Sequence, residues 1–62
     1  MKVAEILKLV EQETLIRIID DEGGNTLAID EKPHLTNKFN NNEIIGISAG
    51  LDDGECTFDI YV

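Results

Sequence analysis

One cysteine, one proline, one histidine, no tryptophan and five basic residues in a chain of 62 set this sequence's limits before its pattern is read. A lone Cys56 excludes an intrachain disulfide and a cysteine-based zinc site. With His34 as the single imidazole, no cluster of nitrogen and sulfur ligands can form for a transition metal, and no cofactor is expected. Five Lys+Arg against 13 Asp+Glu leave a net charge of −8, which argues against direct nucleic-acid contact, since phosphate backbones need a basic surface. Apolar runs of two to three residues are too short to cross a membrane. The amino terminus has no small-residue cleavage site of the kind that ends a secretory signal, so the expected compartment is the cytoplasm. Gly23-Gly24 has neither a following helix nor a lysine, so it is no phosphate loop.

What is present fits one small domain. A chain this short buries only about 60% of the surface its unfolded form exposes, so its stability must come from close packing or self-association. Val3, Ile6, Leu7 and Val10 recur at helical spacing, with Lys2, Glu5, Lys8 and Glu11 opposite, which predicts an amphipathic helix over about 2–12. Residues 14–30 read as a β-hairpin turning at Asp21-Glu-Gly-Gly24. That loop places Ile18 opposite Leu27 and Ile16 opposite Ile29, all four on one face.

Pro33 and Asn40-Asn41-Asn42 bar a strand across 31–42, where a helical turn near Pro33 would dock Leu35 and Phe39 on the core edge. Asp53-Gly54 marks a two-residue turn in a second hairpin over about 43–62. It pairs Leu51 with Cys56, Ala49 with Phe58, Ile47 with Ile60 and Ile45 with Val62, which makes Cys56 a core residue rather than a nucleophile. On the other face, Tyr61 lies across Gly46. The expected fold is α+β, one helix packed on a four-stranded antiparallel sheet made of two hairpins.

Function has to be sought on surfaces. The acidic turns Asp20-Asp21-Glu22 and Asp52-Asp53-Glu55 lack the ligand spacing of a calcium loop, and carboxylates at loop tips lack the burial that general acid–base work requires. No enzymatic activity is expected. Together with Asp59, these acids are instead candidates for contact with a partner protein's basic surface. Leu15, Ile19, Ala28, Ile44 and Tyr61 make the sheet face away from the helix more apolar than water favours. Leu15, Ile19, Ile44 and Tyr61 are therefore candidates for self-association, and a homodimer is expected.

Met-Lys-Val-Ala-Glu-Ile-Leu at 1–7, Ile16-Arg-Ile-Ile-Asp-Asp-Glu-Gly23, Asn42-Glu-Ile-Ile-Gly-Ile-Ser48 and the closing Phe58-Asp-Ile-Tyr-Val62 resemble the short acidic proteins of prophages and mobile elements in Gram-positive bacteria. The resemblance is one of pattern across nearly the whole chain and defines no catalytic residues. It implies an accessory or counter-defence protein, similar to anti-CRISPR inhibitors that occupy nucleic-acid-handling surfaces. Two functions follow as expectations: an acidic binding protein for such a basic surface, or a self-associating structural module without a nucleic-acid-related target. Acids gathered on one side favour the first, and acids spread apart favour the second.

Overall fold

A computed structural model describes all 62 residues. In chain order the elements are α1 (Val3–Leu7), β1 (Leu15–Ile19), β2 (Thr26–Glu31), a 3₁₀ turn (Lys32–His34), β3 (Gly46–Asp52) and β4 (Glu55–Tyr61). The fold is small and α+β, as expected, with one four-stranded sheet ordered β2-β1-β4-β3.

The sheet is mixed rather than antiparallel. β1 pairs antiparallel with β2, and β3 with β4, but β1 and β4 run parallel, with Ile16 opposite Phe58 and Ile18 opposite Ile60. Hairpin patterns specify each pair of strands locally and say nothing of how two hairpins lie side by side. Burial decides that. The two strands contributing fully buried residues, β1 and β4, take the centre, and the weaker strands take the edges.

The helix is also shorter than the pattern suggests, five residues instead of about eleven. Its start is held by the Lys2 N–H donating to Glu5 Oε1 at 2.8 Å, and an acid in the first turn suits the helix dipole. After Leu7 the backbone tightens into i→i+3 bonds, Leu9 N–H to Ile6 and Val10 N–H to Leu7. The Val10 carbonyl then accepts from Lys32 Nζ at 2.6 Å, which fixes where the chain turns toward β1. Leu9 is left 75% exposed.

Val3, Ile16, Ile18 and Ile60 form the fully buried cluster between helix and sheet. Ile6, Leu7, Val10, Leu35, Phe39, Phe58 and Val62 pack around it, so the Pro33 turn does dock Leu35 and Phe39 as expected. Ala28 and Ile44 also pack against this cluster, which corrects their expected place on the far face.

The second hairpin keeps its expected register from Leu51–Cys56 through Ile47–Ile60, and the ladder ends at Gly46–Tyr61, with the Ile45 N–H donating to the Tyr61 carbonyl. Asp53 and Gly54 both have positive φ, 51° and 82°, which is the type I′ geometry their sequence demands.

The first hairpin departs from its expected register. Asp20 does sit against Asn25, but an irregularity between Ile18 and Ile19 shifts the rest by one, so that Ile18 faces Ala28 and Ile16 faces Asp30. Leu27 and Ile29 are thereby turned outward, 44% and 37% exposed. No helix is long and apolar enough to cross a membrane.

Candidate interaction surface

Three surface features could carry function: the acidic hairpin tips, the sheet face opposite the helix, and the free edge of β3. The parallel seam separates the tips. Ile19 lies beside Tyr61, so the turn after β1 leaves one end of the sheet, whereas the Asp53-Gly54 turn precedes β4 and leaves the other. Glu55 and Tyr61 stand six positions apart at the two ends of β4, about 20 Å at strand spacing. Asp21, Glu22, Asp52, Asp53 and Glu55 are exposed and Asp20 half-buried, and the two salt bridges of the molecule involve none of them. They form two separate acidic ends.

The seventh candidate acid, Asp59, is placed differently. It is 3% exposed and accepts from three donors: Arg17 Nε at 3.2 Å, Arg17 Nη2 at 3.1 Å and the Thr57 hydroxyl at 2.6 Å. Burial pushes the Asp59 carboxyl upward, but the hydrogen bonds from Arg17 and Thr57 and the Arg17 charge outweigh it and hold the group below its ordinary value. The hydrogen bond to Asp59 likewise raises the Arg17 guanidinium. Asp59 is thus taken out of the accessible acidic surface by its own fold.

Arg17 on β1 lies opposite Asp59 on β4, and Gly50 on β3, opposite Thr57, is their diagonal neighbour on the same face. The small size of Gly50 is required here, because an added Cβ would meet Asp59 Oδ2, come within 2.5 Å of Arg17 Nη2 and lie 2.9 Å from Thr57 Oγ1. Gly50→Ala should therefore cost about 1–3 kcal/mol by overpacking against a buried carboxylate. Urea denaturation would measure it, and an unchanged midpoint would show that the Arg17 bridge yields freely.

The same face holds the residues expected to self-associate. Ile19 is only 7% exposed, while Leu15 and Tyr61 are half-buried, and the Tyr61 hydroxyl accepts from Ser48 at 3.2 Å. Ile44 belongs to the opposite side, against the core. These four residues do not compose one exposed patch.

Besides Leu27 and Ile29 on β2, the more exposed apolar side chains stand elsewhere, in a row that the sequence pattern assigns to the core. Ile45, Ile47 and Leu51 are 65%, 54% and 66% exposed. Ala49 and Cys56 are exposed beside them, which corrects the expectation of a buried Cys56. The cause is the length of α1. Its buried Val3 meets Ile16 and Ile18 on β1 and Ile60 on β4, and no residue of β3 joins or packs against that cluster.

The two edges of the sheet differ. β2 carries the irregular register, then Asp30 and Glu31, with Pro33 close behind, all devices that discourage further pairing. β3 carries none of these before Asp52. Residues 44–51 are the longest stretch of the chain without a charge. The Asp52/Glu55 pair that closes the tight turn is hydrogen-bonded, so by alternation Ile47, Ala49 and Leu51 direct their N–H and C=O groups to the free edge. This edge escapes sequence reasoning because alternation shows which face a residue takes but not which strand lies outermost.

No three His, Cys, Asp or Glu side chains converge as metal ligands, and the surface holds no pocket. Compared with protein families, with curated proteins and with solved structures, the chain matches none.

Proposed function

We propose that this chain is a non-enzymatic interaction module that works by extending its sheet along β3. The observation that carries the reading is the contrast between the guarded β2 edge and an unguarded seven-residue β3 edge bearing Ile47 and Leu51 in water, with exposed Ile45 just before it. Strand addition gives affinity through main-chain hydrogen bonds and selectivity through alternate side chains, and β3 supplies both. Amide hydrogen exchange tests this. The Ile47, Ala49 and Leu51 amides should be protected when the edge is occupied and exchange rapidly when it is not. Ile47→Lys should remove that protection while leaving the fold intact, because Ile47 is already 54% exposed. Protection that never changes with protein concentration or with an added partner would rule the edge out.

A second reading is supported by the six unpaired tip carboxylates. In it, one acidic end occupies a basic, nucleic-acid-handling surface on a partner protein, the role implied by the resemblance to mobile-element inhibitors. Because the ends lie about 20 Å apart, beyond two Debye lengths at physiological salt, one tip alone should carry the contact. Neutralising Asp20, Asp21 and Glu22 together, or Asp52, Asp53 and Glu55 together, should then give unequal losses of affinity at low salt. Equal insensitivity of both variants would dismiss electrostatic contact.

A further inference from the structure

The occupant of the β3 edge can be argued from the edge itself. From the residue before β3 to the strand's last uncharged position, Ile45-Gly-Ile-Ser-Ala-Gly-Leu51 reads the same in chemical type from either end: aliphatic, glycine, aliphatic, serine, aliphatic, glycine, aliphatic. A two-fold interface brings residue i to j and j to i, so with an axis at Ser48 this pattern sets aliphatic against aliphatic and glycine against glycine. Resting on the strand-extension reading above, we propose that the β3 edge binds a second copy of this chain, antiparallel, with the two-fold axis at Ser48.

In that register Ile47 stands opposite Ala49 of the second copy and Gly46 opposite Gly50, while Ile45, whose N–H is already bonded to the Tyr61 carbonyl, meets Leu51 of the second copy through its side chain and carbonyl. The aliphatic residues meet on the face where they are now exposed. Ile47 and Ala49 become a hydrogen-bonded pair, in keeping with the direction of their free backbone groups. The result is a continuous eight-stranded sheet. Its two outer edges are the guarded β2 strands, so assembly stops at two copies.

Charge selects the same register. Two chains of net charge −8 repel, and 44–51 is the broadest uncharged approach between them. With Ser48 on the axis, the Asp52 residues of the two copies stand eight strand positions apart, about 27 Å and several Debye lengths at physiological salt. Asp53 falls opposite Glu43 of the second copy, whose carboxylate is already engaged by the Met1 ammonium at 3.1 Å. A seven-residue strand is about 23 Å long against molecular extents of 27 × 25 × 17 Å, so the pairing engages one whole side of the molecule.

Light scattering on the wild-type chain and a cysteine scan in a Cys56→Ser background test the proposal together. The expected mass is about 14 kDa at tens of micromolar, twice the 6.9 kDa of one chain. Ser48→Cys should form a disulfide-linked dimer under mild oxidation at least tenfold faster than Ile47→Cys or Ala49→Cys, because only residues on the axis face their own copy within disulfide reach. A mass of 6.9 kDa up to millimolar concentration would overturn the proposal. So would a dimer whose fastest cross-link lies at position 47 or 49, or at none of the three. In that last case, concentration-dependent protection of the Ile47, Ala49 and Leu51 amides would leave strand extension standing without this register. If those amides are protected only by a different protein, the occupant is not a second copy, although the edge reading holds.

Discussion

Ile60→Ala should lower stability by about 3–4 kcal/mol, toward the upper part of the range for truncating a buried aliphatic side chain. Ile60 has no exposed surface, stands on a central strand opposite both Ile18 and Ile47, and belongs to the four-residue cluster that includes Val3 on the helix. The helix is anchored through that cluster, so a cavity there loosens both layers. About sixty residues support some 3–9 kcal/mol in total, which makes this one change sufficient to unfold much of the population at 37 °C. Urea denaturation followed by circular dichroism measures it. Phe58→Ala provides the comparison: Phe58 is half-buried at the rim of the cluster and should cost less than Ile60→Ala. The reverse order would place the centre of the core at the Phe58 end of β4, beside Ile16, rather than at Ile60.

The second large effect is expected at Asp59. Asp59→Asn leaves the Arg17 guanidinium beside a neutral amide and breaks a two-pronged ion pair, at a cost of about 2–3 kcal/mol at neutral pH. The pH dependence follows from the direction of the shift. A carboxyl held below its ordinary value of 3.8 contributes stability that is fully present well above that value and is lost as pH falls through the depressed, folded-state value. Wild type and Asp59→Asn should therefore differ most near neutrality and converge in acid. Urea midpoints collected from pH 7 down to about pH 2 test this. A gap that stays constant over that range would mean that the substitution acts through shape rather than charge.

How far this architecture could be read in advance depends on which interactions are local. Asp53-Gly54 requires two consecutive positive φ values, and that fixes the register of every ladder pair in the second hairpin. Pro33 similarly marked the turn that seats Leu35 and Phe39. The first hairpin has no equivalent constraint. Leu27 and Ile29 alternate correctly for the core, but so does Ala28 on the other phase, and the irregularity at Ile18/Ile19 selects the smaller residue. The helix pattern through Val10 was real, yet a carbonyl held by Lys32 and the need to enter β1 at Leu15 shorten it. The Arg17–Asp59 pair depends on the parallel seam, which no local pattern encodes, so Asp59 looked like one more surface acid. The β3 edge is the converse case. Its alternation was legible, but its exposure follows from strand order and from a helix too short to reach it.

That parallel seam also sets the order in which the molecule assembles. Each hairpin joins near neighbours in the chain, whereas Ile16 and Phe58 are 42 positions apart, 58 minus 16. Closing a loop of that length costs about 3 kcal/mol of chain entropy before any contact across it is gained. The hairpins can form on a microsecond scale, so the barrier lies in docking one preformed hairpin against the other. The buried bonds of Asp59 to Arg17, and the contacts of Ile60 with Ile18, belong to that late step. Weakening them should therefore slow folding as well as speed unfolding, with both arms of a chevron plot moving for Asp59→Asn.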